Sequence, residues 1–250
     1  ALYHLQHTDV KDCIFAGPAD GESALKESRD IGVVHCRFSL RYPLWHVKGF
    51  TMAHCSMDEN TRAAIWYAED GRISDSILGG IKAVRECSDI RLERCQVESQ
   101  EFGWKSRKIT LVDTEILSEY LFFDSRDIKL SGVKMRGKYS FQYIENLEIT
   151  DSELDTKDAF WHGENVLVRN SVKNVIVRNS VVKGEYLGWF SEGLTLINCK
   201  VIGTQPLCYC KNLTLVDCTM EDTDLSFEYS DVTASIQGHV ISIKNPRSGV

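Results

Sequence analysis

Apolar side chains recur along this chain about every 19 residues. Alignment on Val33, Met52, Ile73, Leu92, Leu111, Leu130, Ile149, Leu196 and Leu215 puts a small residue three places on: Cys36, Cys55, Ser76, Cys95, Thr114, Ser152, Cys199 and Cys218, with Val133 as the exception. Two places further comes another apolar side chain, from Phe38 through Val97 to Met220. Self-similarity at a fixed period means a repeat architecture in which no unit buries a core alone. The alternation in Leu194-Thr-Leu196 and Leu213-Thr-Leu215 reads as short strand. Asp75, Asp113, Asp151, Asn179, Asn198 and Asp217 stand just before the small residue, where a tight corner favours side chains that tolerate positive φ. The expected fold is all-β: a right-handed single-stranded parallel β-helix, a solenoid of about 10–12 coils stacked about 4.8 Å apart.

Two other solenoids fit less well. Leucine-rich repeats want a leucine three places before the strand, where this chain has Ser106, Ser191 and Cys210. A left-handed hexapeptide helix would subdivide each coil every six residues, and no such subdivision is visible. Residues 1–250 read as a single β-helix domain with one break in register. Val168-Arg-Asn-Ser171 recurs as Val177-Arg-Asn-Ser180, leaving 28 residues between Val168 and Leu196, so residues 169–180 are expected to form an inserted or duplicated loop. The turn-forming Gly17-Pro-Ala-Asp-Gly21 accounts for the wide spacing between Val10 and Val33.

Hydrophobic content of 43% in 250 residues suffices for a long core. The nine cysteines are odd in number, and stacking Cys36 on Cys55 or Cys199 on Cys218 gives parallel thiols, which favours a reduced internal ladder and a cytoplasmic location. Cys208 and Cys210 share a strand face but lack a second ligand pair, so no metal site and no cofactor is expected. Net charge of −7 argues against nucleic acid, and against polyanionic glycans unless charge is locally reversed. No signal peptide, long apolar span or polybasic stretch is visible, so no membrane partner is expected.

All five tryptophans fall in one register, seven places before the reference positions: Trp45, Trp66, Trp104, Trp161 and Trp189, with Arg85, Phe123, Gln142 and Cys208 in the same file. Stacked coils would set these rings about 4.8 Å apart, a file along which a sugar polymer or another planar ligand could lie. Leu44, Ile65, Val84, Phe122, Phe141, Phe160 and Leu207, one place earlier, make equally good core, and adjacent strand residues cannot both point inward. Because a lone buried Arg85 would be costly, the tryptophan file is expected to be the outward one. Polar residues flank it, among them Lys82, Glu101, Glu119, Asp158, His46, Tyr143 and His162. Carboxylates on adjacent coils, about 5 Å apart, or two coils apart, about 9.6 Å, bracket the separations of glycosidase acid and base pairs. Glu101 with Glu119, and Asp158 with Glu185, are the candidate pairs, and Asp158 and His162 could act together only on a ligand lying between them. Charges rim every solenoid face, so a solvated surface is the favoured account of each named pair.

The series Tyr42-Pro-Leu-Trp-His46, Ala64-Ile-Trp-Tyr67, Glu101-Phe-Gly-Trp104, Gly137-Lys-Tyr-Ser-Phe-Gln-Tyr143, Asp158-Ala-Phe-Trp-His162 and Gly184-Glu-Tyr-Leu-Gly-Trp189 resembles a bacterial domain-of-unknown-function family within the pectate-lyase-like β-helix superfamily. The resemblance implies a right-handed β-helix and, from the superfamily, polysaccharide lyases, hydrolases or esterases. A lyase of that kind would use calcium held by carboxylates and a Lys or Arg base; the calcium constellation is absent, but Lys82 and Arg85 could serve as base and anchor. Three functions follow as expectations. The chain is a glycoside hydrolase or lyase using Asp158, His162, Glu101 and Glu119. Or it is a non-catalytic glycan-binding module using Trp45, Trp66, Lys82, Arg85, Trp104, Gln142, Tyr143, Trp161 and Trp189 on an oligosaccharide. Or it is a scaffold, monomeric or self-associating through the aromatic face.

Overall fold

The computed structural model describes residues 1–17, 23–169 and 186–249. They form two compact units, Ala1–Phe122 and Phe123–Val250. In the first, Val10, Val33, Met52, Ile73, Leu92 and Leu111 pair in succession across parallel strands, reproducing the register read from the sequence. A second parallel sheet pairs Phe15, Phe38, Met57, Leu78, Val97 and Ile116. In the second unit, Leu130, Ile149, Val168, Leu196 and Leu215 pair in the same way. Each unit is therefore a parallel β-solenoid with a period near 19 residues, and no helix occurs among the described residues. Val168 pairs with Ile149 on one side and Leu196 on the other, so the first Val-Arg unit is the one in register. The expected loop lies outside the described residues from Asn170 onward, as do Asn179 and Glu185.

Each coil is turned by left-handed residues. In the coil of Ile149 these are Tyr139, Phe141, Tyr143, Asn146 and Asp151, with φ between 49° and 60°. The expected corner is observed, with Asp75, Asp113, Asp151, Asn198 and Asp217 all at φ near 50°. A second corner, at Asp30, Asp70, Asp89, Asp127, Asn146 and Asn165, carries the same turn-favouring residues, while the other corners carry mostly Tyr, Phe, His and Leu, which give no turn signal. What they share is the absence of β-branching: no Val, Ile or Thr takes positive φ among the described residues, because a second γ-substituent clashes with the backbone there. Asp151→Gly is accordingly expected to change stability by less than about 0.5 kcal/mol, and Asp151→Val to lower it by about 1–3 kcal/mol, read from urea unfolding midpoints.

The small residue after that corner also has a physical reason. A left-handed residue takes the following N–H out of the inter-coil ladder, and a side chain from the next coil replaces the lost acceptor. The Cys55 N–H donates to Ser76 Oγ (3.0 Å), that of Val133 to Ser152 Oγ (3.0 Å), and that of Cys36 to Cys55 Sγ (3.4 Å). The accepting hydroxyls donate in turn to carbonyls two residues back, as Ser76 does to Ser74 (2.6 Å) and Ser152 to Thr150 (2.7 Å). Only Ser, Thr and Cys combine that length with that chemistry. A second ladder of the same kind runs from the Cys87 N–H to Ser106 Oγ (3.1 Å) and from the Cys210 N–H to Ser230 Oγ (2.9 Å).

All nine cysteines are free, and all but Cys13 are buried. Burial pushes the thiols of Cys55 and Cys208 up to about 11 and those of Cys87 and Cys210 to about 12, so they stay protonated and act as small apolar groups. Aromatic pairs reinforce the stacking of coils. Phe15 lies on Phe38 at 5.0 Å, and Phe141 on Phe160 at 5.2 Å, both within 10° of parallel.

Candidate functional site

One corner of the coil places three consecutive residues in fixed directions. The first is almost completely buried, with positive φ at Leu44, Phe122, Phe141, Phe160 and Leu207 and strand backbone at Ile65 and Val84. The next is the tryptophan register, half-buried on the outside. The third, again left-handed, carries His4, Glu27, His46, Tyr67 and Glu86 in the first unit and Tyr143, His162, Phe190, Tyr209 and Tyr229 in the second. Two outward files thus run side by side.

The tryptophans are anchored rather than free-standing. Trp104, Trp161 and Trp189 donate their indole N–H to the carbonyls of Tyr120 (2.7 Å), Tyr186 (2.8 Å) and Gln205 (2.8 Å) on the next coil. The indole N–H groups of Trp45 and Trp66 are buried without a hydrogen-bond partner. In the first unit, cations lie against these rings: Lys26 is 4.0 Å from the ring centre of Trp45, Arg85 is 5.4 Å from Trp66, and Lys82 is 5.8 Å from Trp104. Arg85 is half-buried, stacked on Trp66 and bonded to Glu86 at 3.1 Å, which removes the cost of a lone cation. Burial alone would raise Glu86, but hydrogen bonds from Arg85 and Tyr67 outweigh it and hold the carboxyl below its ordinary value. The same bond to Glu86 raises Tyr67.

In the second unit the outer file is a column of stacked rings. Successive pairs from Tyr143 to His162, Phe190, Tyr209 and Tyr229 are 4.9, 5.3, 5.0 and 5.7 Å apart, with interplanar angles from 9° to 29°. Beside it Trp161 stacks on Trp189 at 6.2 Å and 13°, and Gln142 is half-buried in the same inner file. The faces of these rings are turned toward one another, and their edges toward solvent. In sequence this outer register reads as polar, because His46, Tyr67, Glu86, Tyr143, His162 and Tyr209 occupy it; Phe190 also lies six places before Leu196, but one apolar residue among them does not announce a column.

The acid and base candidates are dispersed. Glu101 is ion-paired with Lys82 at 3.1 Å, and its N–H donates to the Glu119 carbonyl at 2.8 Å, so these two residues occupy neighbouring coils. Asp158 is only 6% exposed, while His162 is exposed and held in the ring column between Tyr143 and Phe190. The carboxylates with shifted titration, Asp75, Glu86 and Glu93, all move down, through hydrogen bonds from Arg94, Arg85 and Arg91 respectively. Among the described residues no group of three or more His, Cys, Asp and Glu could hold a metal ion.

The first unit also has an open groove of about 730 Å³, lined by Trp45, His46 and Tyr67 on one side and by Gln6, Arg29, Lys48 and Glu69 on the other.

No curated protein matches the chain in sequence. Among solved structures, HetL, a pentapeptide repeat protein involved in heterocyst differentiation regulation from the cyanobacterium Nostoc sp. strain PCC 7120, aligns with 90% of this chain and 85% of its own at 11% identity and a TM-score of 0.31. QnrB1, a plasmid-mediated fluoroquinolone resistance protein, aligns with 94% of this chain and 91% of its own at 8% identity and a TM-score of 0.22. At such scores neither bears on what this chain does. Over residues 1–250 the chain matches the family described as Protein of unknown function (DUF3737), and it belongs to that family.

Proposed function

We propose that this protein binds rather than reacts: a non-catalytic β-solenoid scaffold that presents an aromatic and charged corner to a partner. The observation that carries this reading is that the groups acid and base chemistry would need are already engaged. Glu101 is held by Lys82, Asp158 is buried, and His162 is stacked between two rings. Superfamily lyase chemistry would need Lys82 as a free base and Arg85 as a free anchor, and both are ion-paired. A general acid also needs a raised carboxyl, whereas the carboxylates that shift here move down. Free thiols buried on adjacent coils, with those of Cys55, Cys87, Cys208 and Cys210 held protonated, suit a reducing compartment.

Oligosaccharide binding is the second reading, favoured by the open groove of the first unit. It takes a different form from a polymer lying along the file, because sugar rings stack on aromatic faces and the faces of the second unit's column are used by neighbouring rings. Tryptophan emission and acrylamide quenching, against neutral and acidic oligosaccharides and across protein concentration, separate these readings. A scaffold that self-associates should lose quenching as concentration rises, with no response to sugar. A groove binder should respond to sugar at any concentration. Conversion of any sugar in the same mixtures would overturn the non-catalytic reading.

A further inference from the structure

The groove of the first unit points to a ligand class, and the inference rests on reading the protein as a binder. We propose that it takes a small hydroxylated monoanion, whose negative group sits on Arg29. Gln6, Arg29, Lys48 and Glu69 are neighbours in register on four successive strands and form one outward row. His4, Glu27, His46 and Tyr67, two residues earlier on each coil, form the other, turned outward by φ of 55° to 57°. Between the rows Ser28, Val47 and Ala68 are fully buried and make the floor.

Most charges here neutralise one another. Glu27 takes Lys26 at 3.5 Å, with a His4 ring nitrogen also 3.5 Å away, and Glu69 takes Lys48 at 3.3 Å. Arg29 is exposed and has no carboxylate partner among the described residues. The groove lining sets Arg29 and Lys48 against Glu27 and Glu69, and of the two cations Arg29 is the one left without an ion pair among the described residues. A guanidinium fork matches a carboxylate in two parallel hydrogen bonds. Gln6 can donate and accept, His4 and His46 offer ring nitrogens, and Glu27 and Glu69 accept from hydroxyls, so the ligand's remaining surface should be hydroxylated. Those two carboxylates flank Arg29 and would repel a second negative charge, which sets the limit of one. A groove of about 730 Å³ suits a molecule of this size.

Gluconate, glucose and glucose 6-phosphate titrated into the full chain test this, with Trp45 emission as the readout and nuclear magnetic resonance of the same mixtures to detect conversion. Gluconate should bind saturably at millimolar concentration and glucose at least tenfold more weakly. Glucose 6-phosphate, which carries close to two charges at neutral pH, should bind at least threefold more weakly than gluconate, and tighter binding would overturn the limit of one charge. Arg29→Gln should weaken gluconate at least tenfold with an unchanged unfolding midpoint, while Lys48→Gln, whose parent is already ion-paired, should change it less than threefold. Equal affinity for gluconate and glucose, retention of binding in R29Q, or no binding of gluconate at tens of millimolar would each overturn the assignment. Conversion of a bound probe would instead overturn the non-catalytic reading and leave the ligand class standing.

Discussion

Phe141→Ala is expected to lower the stability of the second unit by about 3–5 kcal/mol. The ring is fully buried and stacked on Phe160 at 5.2 Å and 9°, so truncation removes its transfer free energy, leaves a cavity, and strips the facing ring of its partner. The stacking itself accounts for about 0.5–1.5 kcal/mol of that total. In a solenoid each coil touches only its neighbours, so no distant part of the core can move in to fill the space. Urea unfolding followed by circular dichroism gives the value. Phe141→Leu, which keeps most of the volume, should cost less than half as much. A loss below about 1 kcal/mol for the alanine variant would mean that the coils close over the gap. Combining it with Phe160→Ala should give a coupling of at least about 0.5 kcal/mol, since the two rings are in direct contact.

Gly80→Ala should be almost as damaging, for a different reason. A Cβ at this position would lie 1.8 Å from the carbonyl oxygen of Thr61 and 2.7 Å from its carbon, both backbone atoms. Thr61 cannot retreat easily, because its N–H donates to the Asp58 carbonyl at 3.1 Å and its hydroxyl lies 2.6 Å from that carbonyl and 2.9 Å from the Gly79 carbonyl. The site also has φ of +76°. Left-handed strain contributes about 1–3 kcal/mol, and the forced displacement adds about 1–3 kcal/mol. Gly193→Ala separates the two effects: its φ is +69°, yet the nearest atom to the added Cβ is 3.5 Å away. It should show the conformational loss alone. Equal losses at both glycines would mean that the Thr61 turn shifts without cost.

Why the repeat was legible and the binding corner was not comes down to which interactions leave a mark on residue type. Inward positions of the first sheet must be apolar in every coil, so Val33, Met52, Ile73, Leu92 and Leu111 announced their pairing before any geometry was known. The corner at Asp75, Asp113 and Asp151 was equally plain, because Asp tolerates left-handed backbone. The corners at Phe122, Phe141 and Phe160 were not, since an aromatic side chain can take positive φ without being chosen for it. The five tryptophans declared a shared register, and the competing register beside them, from Leu44 to Leu207, is the buried one. What the spacing could not convey was ring orientation, which decides whether a face or an edge meets the ligand. Nor could it convey that Arg29 would be left without a partner while Lys48, Lys82 and Arg85 found theirs.

Gly71 occupies an inward position of the first sheet, pairing with Phe50 on one side and Ile90 on the other. A Cβ there would come within 2.3 Å of two atoms of the Phe50 ring and 2.9 Å of Ile90 Cδ1, so the empty position in one coil is the space filled by its neighbour's ring. At this position volume is therefore shared between two coils and not set within one. The coils look like interchangeable cassettes by period, but they are not by content. Deleting, permuting or duplicating the coil of Gly71 would bring Phe50 against a full-sized neighbour, or leave a hole where none existed. Lineages of such proteins can drift one coil at a time only where neighbouring volumes already agree, and elsewhere must change two coils together.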